Sequence, residues 1–250
     1  MKIRPTPKHD GPTGYSIGRR SYYQWRVGNC AYFALDTRSH RLLHDGKKPA
    51  KADTSILGAE QRAWLKEEMA KSDADFFFVV SSVPFMIPHD GSGGMAFMPV
   101  DKNDSWAVYL HEREELIRFW ETLNRPVVVL TGDLHNSFAI KITEKVWEFC
   151  CGPHNSSNHP TGSEGRRPPT GTYQAGNRAC DIRWSSYFLD DTPQEVRRRP
   201  IYCVIQANNV FNNPPVVGRD RWVAYPHPQL VLQYYDGRTG DLLYAEAIRK

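Results

Sequence analysis

The sequence predicts one α/β domain over residues 1–250, in which a partly parallel sheet precedes a mostly antiparallel carboxyl half. Two observations support this prediction. Between residues 57 and 130, amphipathic helices alternate with continuously apolar strands, which is typical of parallel crossover units. Beyond Phe138, short strands alternate with turn-rich loops, and this pattern favours antiparallel pairing.

The first predicted element is a hairpin of residues 22–27 and 30–35. Both segments are rich in aromatic residues, and Gly28-Asn29 between them tolerates the positive φ of a tight turn. Residues 1–20 are polar and rich in proline and glycine, so we expect them to be irregular.

Two helices and two buried strands follow the hairpin. Residues 57–69 and 110–123 each place apolar side chains on one helical stripe, which predicts an amphipathic helix in each segment. Residues 76–82 and 127–130 are continuously apolar and β-prone, as is typical of strands that are covered on both faces.

The sequence of the carboxyl half predicts five more strands, at residues 139–143, 146–150, 201–205, 230–235 and 242–248. We expect the last two to form a terminal hairpin through the turn at residues 236–241. The loop at residues 152–172 is longer than most connections and is dense in Gly, Pro, Ser and Asn, which indicates either function or disorder.

Composition narrows the classes of partner. The formal net charge of +4 is compatible with an anionic substrate. The basic runs Arg166-Arg167 and Arg197–Arg199 lack the interleaved aromatic residues of a nucleic-acid groove, so solvated loop charge is the favoured interpretation and we predict no nucleic-acid partner.

Five cysteines without a Cys-x-x-Cys pair favour structural thiols over a zinc ribbon or a disulfide scaffold. Cys150 and Cys151 would lie on opposite faces of a strand.

No segment indicates export or membrane insertion. Residues 1–7 carry charge without an apolar stretch behind them, so no secretory signal is predicted. The most apolar run, at residues 76–87, is far shorter than the ~20 residues of a membrane-spanning helix. We therefore expect a soluble chain without a membrane partner, and its localisation stays unassigned.

The segment at residues 127–136 is the most informative part of the sequence. Asp133 and His135 follow a buried strand and Gly132, and groups at the carboxyl ends of such strands face the ligand crevice of open α/β sheets. A carboxylate and an imidazole from one turn can hold a divalent or trivalent metal ion. The alternative is a tight turn in which Asp133 caps backbone amides and His135 is only exposed. Residues 239–242 repeat the letters Thr-Gly-Asp-Leu without the histidine, between hairpin strands, and predict a plain turn.

Four segments resemble one known family. Gly132-Asp133-Leu134-His135 resembles the Gly-Asp-x-His signature of the alkaline phosphatase D (PhoD)-like family of metallophosphoesterases. Residues 35–38 resemble its Leu-Asp-Thr-Arg segment, residues 57–65 its Leu-Gly-x-x-Gln-x-x-Trp-Leu helix, and residues 148–153 its Glu-Phe-x-x-Gly-Pro segment. The four segments stand in the family's order, from about residue 20 to about residue 155.

The resemblance implies a two-sheet sandwich flanked by helices, with a metal cluster at one edge and phosphate mono- or diesters as substrates. Asp133 and His135 would be metal ligands, and His135 would be catalytic. The family suggests iron and calcium ions, and its members are often exported. Metal ions at such a site would activate a water molecule for in-line attack on phosphorus.

The resemblance is to the carboxyl-terminal portion of the family. The Gly-Asp and Asn-His/Asp segments that supply most of the family's metal ligands have no counterpart before Asp133, so we expect a sandwich that is incomplete on its amino-terminal side. The chain is then a fragment, or it is completed by another polypeptide or by self-association, or it is a non-catalytic binding or assembly module. These alternatives stay open. A missing half would leave a strand edge that promotes self-association.

Four further residues are candidates for substrate binding: Arg38, His89, His154 and Asn155. Arg38 follows the hairpin, where its planar guanidinium could hold a phosphate oxygen or form a structural salt bridge. His89 follows the strand at residues 76–82, and a solvated loop histidine is the alternative there. Ser81 and Ser82 lack a Gly-x-Ser-x-Gly elbow, so a serine hydrolase is not supported.

Overall fold

The computed structural model describes residues 21–41, 55–89, 105–208 and 227–250. Its helices are α1 (Gly58–Lys71), α2 (Leu110–Thr122) and α3 (Gln194–Arg197). Its strands are β1 (Tyr23–Val27), β2 (Cys30–Ala34), β3 (Phe76–Val80), β4 (Val127–Thr131), β5 (Phe138–Lys141), β6 (Val146–Cys150), β7 (Gly171–Ala175), β8 (Arg178–Ser185), β9 (Ile201–Asn208), β10 (Gln229–Asp236) and β11 (Leu242–Arg249). The mixed α/β class is confirmed. No helix in the described residues is long and apolar enough to cross a membrane.

A large sheet forms the centre of the fold, with strand order β1-β2-β3-β4-β6-β5-β8-β7. The central strands β2, β3, β4 and β6 are parallel to one another, and the other pairs are antiparallel. The predicted hairpin, both helices and the partly parallel sheet are therefore confirmed. Helix α1 lies between β2 and β3 along the chain and helix α2 between β3 and β4, as the alternation of elements predicts. The third parallel pair, β4 and β6, is connected through β5, which pairs antiparallel with β6.

A small sheet of three strands, in the order β11-β10-β9, contains the predicted terminal hairpin. The Thr-Gly-Asp-Leu copy at residues 239–242 lies in its turn. Gly240 has a φ of +76° there, and its N–H donates to the carbonyl of Asp236 at 2.9 Å. The prediction of a plain turn at this copy is confirmed.

The large sheet has an apolar core on each face. Helices α1 and α2 cover one face, where Leu65, Leu116 and Trp120 are fully buried. The small sheet contributes Leu232 and Tyr234 to the core on the other face. Full burial of one such side chain contributes about 1.5–3 kcal/mol to folding.

The cysteines behave as structural thiols. Cys150 packs into the helix-side core and Cys151 against the core shared with the small sheet, so the prediction of opposite faces is confirmed. All five cysteines are free. Burial raises the pKa of Cys151 to about 11 and that of Cys203 to about 12, and both groups therefore stay protonated at neutral pH.

Two strands and a short helix, namely β7, β8 and α3, were not predicted. Strand β8 has the period of a strand, because Cys180 and Ile182 face inward. Its outward positions are charged or polar and its inward residues are few, so the apolar pattern is weak. The predicted loop at residues 152–172 is confirmed as a connection up to Gly171, where β7 begins.

Tyr234→Phe tests the connection between the two sheets. The Tyr234 hydroxyl lies 2.8 Å from the carbonyl oxygens of both Phe138 and Cys150, and it donates its one proton to either. The substitution removes this buried hydrogen bond between the sheets, so we expect the free energy of unfolding to fall by about 1–2 kcal/mol in urea titrations. Tyr202→Phe, at an exposed position, is the control and should change it by less than about 0.5 kcal/mol. Equal effects of the two substitutions would contradict this role of the hydroxyl.

Candidate functional site

The carboxyl ends of the four parallel strands meet at one edge of the large sheet. Hydrogen bonds continue the ladder past the strand ends, from Leu35 N to Val80 O at 2.9 Å and from Ser81 N to Leu130 O at 2.9 Å. The loops that follow these strands therefore lie side by side. This is the position of the ligand crevice in open α/β sheets.

Asp133 and His135 leave this edge in an uncommon backbone conformation. Their φ angles are +67° and +54°, a region that few residues other than glycine adopt. Leu134 between them is fully buried, and its N–H lies 2.8 Å from the Gly132 carbonyl. The buried leucine holds the turn, and the two polar side chains remain accessible on either side of it. Strained residues of this kind are concentrated at functional sites.

Two further histidines lie next to this turn. His89 Nδ1 is 3.6 Å from Asp133 Oδ2. The ring of His159 lies 4.7 Å from the ring of His135 and 5.4 Å from that of His89, measured between centroids. The backbone N–H of His159 donates to the backbone carbonyl of His135 at 3.0 Å. Ser156 Oγ lies 3.4 Å from His135 Nδ1. We call His89, Asp133, His135 and His159 the histidine cluster.

Sequence reasoning placed His89 at this edge but missed His159. The structure brings His159 into the cluster through the long loop at residues 152–172, which had indicated function without identifying a residue. A histidine in a Gly- and Pro-rich loop gives no spacing signal, because its partners His89 and His135 are distant in sequence. The length of the loop was the only usable signal.

Glu148 fixes the loop that carries His89. Its carboxylate is fully buried and accepts hydrogen bonds from Phe85 N at 2.7 Å, Met86 N at 2.8 Å and Thr131 Oγ1 at 2.8 Å. Burial raises the pKa of Glu148, and these three donors oppose that rise. The carboxylate thus ties the loop before His89 to the end of β4, which leads into Asp133. This gives a physical reason for the glutamate of the Glu-Phe-x-x-Gly-Pro segment.

A second buried network supports the loop behind His159. Asn136 Nδ2 donates to Glu164 Oε1 at 2.8 Å, and Glu164 pairs with Arg167 at 2.6 Å, with both side chains fully buried. Burial raises the pKa of Glu164, and Arg167 opposes that rise. The interpretation of Arg167 as solvated charge is therefore wrong, because its guanidinium is neutralised inside the protein and lies over the Phe138 ring. Its neighbour Arg166 is exposed.

Two of the family-like segments are joined to each other. Gln61 Oε1 accepts from Asp36 N at 2.8 Å, and Gln61 Nε2 donates to Asp36 O at 2.9 Å. The Asp36 carboxylate in turn accepts from Arg38 N at 3.0 Å and Ser39 N at 2.9 Å. Burial alone would raise the pKa of Asp36, but these two amides hold it below its ordinary value of 3.8.

The remaining candidates lie at the same edge without a measured contact to the cluster. Arg38 is exposed after the Asp36 turn, and His154 and Asn155 are exposed at the bend after Gly152-Pro153. The substrate-binding roles of these three residues stay predictions.

The histidine cluster offers the types of ligand that bind metal ions, but too few of them to form a complete site. Asp133 offers carboxylate oxygens and His135 an imidazole nitrogen, as metal ions at phosphoesterase sites require. Across residues 21–41, 55–89, 105–208 and 227–250, however, no group of three or more His, Cys, Asp or Glu side chains is arranged to hold a metal ion. Catalytic sites use about three protein ligands per metal ion. The described residues by themselves therefore do not form such a site.

Comparison with known proteins gives a consistent set of relatives. The profile of the PhoD-like phosphatase family matches residues 3–188. Alkaline phosphatase D of Bacillus subtilis (strain 168) is 34% identical over 149 residues, which are 56% of this chain and 24% of that protein. A solved structure titled "Structure of PhoD" aligns with a TM-score of 0.52 at 18% identity, over 94% of this chain and 45% of the other. This chain thus spans about a quarter of the curated relative and less than half of the solved one.

Asp36→Asn tests the Asp36 turn through its pH dependence. Because the folded-state pKa of Asp36 is lowered, its carboxylate stabilises the fold above pH 3.8, and this contribution is lost as the pH falls through the folded-state pKa. We therefore expect Asp36→Asn to be less stable than the wild type at pH 7 and the difference to shrink below about pH 4. Urea midpoints across this range measure it, with the exposed Asp191→Asn as the control. A difference that is constant with pH would contradict the assignment.

Glu148→Gln tests the loop anchor. A carboxamide has one acceptor oxygen and presents an NH2 group to a backbone donor, so one of the Phe85 and Met86 amides loses its partner. We expect that amide to exchange its hydrogen at least about tenfold faster in NMR experiments, since a lost bond contributes about 1.4 kcal/mol to local opening. The Leu35 amide, which donates to the Val80 carbonyl, should keep its exchange rate in Glu148→Gln. In the control Glu144→Gln, at an exposed position, the amides of Leu35, Phe85 and Met86 should all keep their exchange rates. Unchanged protection of both loop amides would refute the anchor.

Proposed function

The chain belongs to the family of PhoD-like phosphatases, and we propose that it contributes to the metal-dependent hydrolysis of phosphate mono- or diesters. The observation that supports this proposal most strongly is the histidine cluster at the carboxyl edge of the parallel strands. We further propose that the large and small sheets form the metallophosphoesterase-like sandwich, of which this chain holds the carboxyl-terminal portion.

The proposed metal ligands are Asp133 and His135. Both side chains are partly accessible, and the left-handed backbone of the turn directs them away from the buried Leu134. Ser156 Oγ, 3.4 Å from His135 Nδ1, would orient the imidazole. Metal ions, iron and calcium by analogy with the family, would supply an activated water molecule and neutralise charge on the phosphoryl group. The remaining ligands would come from outside the described residues.

The other residues of the edge are proposed to bind the phosphate ester. The rings of His89 and His159 lie beside the proposed metal ligands. Arg38, His154 and Asn155 are exposed on the loops that border it. Imidazolium and guanidinium groups attract phosphate, and the amide of Asn155 can donate a hydrogen bond to it.

The rival proposal is a non-catalytic binding or assembly module that keeps the fold. It is favoured by one observation, namely that the residues which the structure describes hold only part of a ligand set. The two proposals differ in whether the chain, alone or self-associated, takes up metal ions.

His135→Ala tests the enzymatic proposal. We expect the purified wild-type chain to contain stoichiometric metal by mass spectrometry and to hydrolyse bis(p-nitrophenyl) phosphate or p-nitrophenyl phosphate. The substitution should remove the metal and lower hydrolysis by more than about a hundredfold, since even changes outside the ligand shell cost 10–100-fold. His227→Ala, at an exposed histidine before β10, is the matched control.

Each outcome of this experiment is informative. Metal and turnover that depend on His135 and not on His227 would support a complete site in this chain or its oligomer. A wild-type chain without metal and turnover would contradict independent activity and favour either the binding module or ligands from another segment.

A further inference from the structure

Three consecutive arginines, Arg197–Arg199, lie beside the histidine cluster. Asn158 N donates to the Arg197 carbonyl at 2.8 Å, and Asn158 Nδ2 donates to the carbonyls of Arg197 at 2.7 Å and Arg199 at 2.9 Å. The next residue, His159, donates its N–H to the His135 carbonyl. The segment Asn158-His159 therefore joins the arginine run on one side to the candidate site on the other.

The Arg197 guanidinium is held close to this segment. Its Nη1 donates to Asn158 O at 2.6 Å and its Nε to Thr192 O at 3.0 Å. Asn158 O and His159 N belong to one peptide unit, so the guanidinium lies within about 8 Å of the His135 carbonyl oxygen. Both acceptors are neutral, and Nη2 remains available for a further ligand, so Arg197 keeps its positive charge and part of its hydrogen-bonding capacity.

Positive charge in this region is only partly neutralised. Arg199 pairs with Asp236 at 2.7 Å. Within the part of the chain that the structure describes, Arg197, Arg198 and Arg238 form no ion pair with a carboxylate, and Arg238 donates instead to the Arg198 carbonyl. Arg198 and Arg238 are exposed. We call Arg197, Arg198 and Arg238 the basic ridge.

The position of the ridge is fixed by a buried amide. Asn158 is fully buried, and both protons of its side chain are directed to the main chain of the arginine run. A buried amide requires such bonds, whereas a run of solvated arginines requires no anchor. Holding like charges together is unfavourable unless an anion neutralises them. The interpretation of Arg197–Arg199 as plain solvated loop charge does not account for this arrangement.

We propose that the basic ridge is a second anion-binding subsite, which holds a phosphate group next to the one that is hydrolysed at the histidine cluster. This inference rests on the proposed phosphoesterase function and narrows its substrate class to molecules with two or more phosphate groups. Guanidinium groups suit this role because their planar forks bind phosphate oxygens in pairs.

The test measures binding of inorganic tripolyphosphate and of orthophosphate to the full chain, by calorimetry in metal-free buffer at fixed salt. We expect the wild type to bind tripolyphosphate at least about tenfold more tightly than orthophosphate. The double substitution Arg198→Gln/Arg238→Gln should weaken tripolyphosphate binding about tenfold or more and change orthophosphate binding by less than about twofold. Both residues are exposed, so the fold should be retained, which circular dichroism would verify.

Arg249 is exposed at the far end of the small sheet, opposite Gln229. Arg249→Gln is the control for the loss of one positive charge, to be compared with each of the single substitutions Arg198→Gln and Arg238→Gln. It removes one equivalent charge without altering the ridge and should leave both affinities within about twofold. Equal affinity of the wild type for the two anions, or a comparable loss in Arg249→Gln, would overturn the subsite. Binding under these conditions needs neither metal nor turnover, so this result is distinct from that of the His135→Ala experiment.

Discussion

The buried carboxylate of Glu148 joins three parts of the molecule that are far apart in sequence. Glu148 lies on β6. Its carboxylate accepts a hydrogen bond from the Thr131 hydroxyl at the end of β4 and two more from backbone amides of the loop that follows β3. A buried carboxylate is tolerated only where donors surround it, and here those donors are the loops of the candidate site. The spacing between His89 and Asp133 follows from this arrangement. The arrangement of the loops at this edge therefore depends on one buried carboxylate and its three donors.

The fold could be predicted wherever apolar periodicity is strong. Helices α1 and α2 and strands β3 and β4 bury large side chains at regular spacing, so their sequences indicate both their class and their exposure. Strands β7 and β8 escaped prediction because their burial depends on Ala175, Cys180 and Ile182, which are too few to make a pattern. The pairing of β5 with β8 is likewise a long-range choice that local sequence does not encode.

Site residues that directly follow a predicted strand could be predicted from the sequence, whereas site residues within a long loop could not. Asp133 and His135 could be placed because a buried strand and a glycine precede them, and the ends of such strands have a known role. His159 and the basic ridge are brought in by Asn158, whose side-chain bonds connect segments that lie some forty residues apart. Charge runs look alike in sequence whether they are buried, anchored or solvated. Arg167, Arg197 and Arg166 show these three outcomes within one chain.

The two sheets are also separated along the chain, since all described strands of the large sheet lie before residue 186 and all described strands of the small sheet lie after residue 200. During synthesis the large sheet and its helices can therefore assemble before the small sheet has left the ribosome. Until then, Phe76, Phe78 and Phe149 on its second face lack their cover. A nascent chain of this kind would expose an aromatic surface for the time needed to translate residues 201–249, which is several seconds at about 5–20 residues per second. This interval of exposure is a consequence of the order in which the two sheets are encoded.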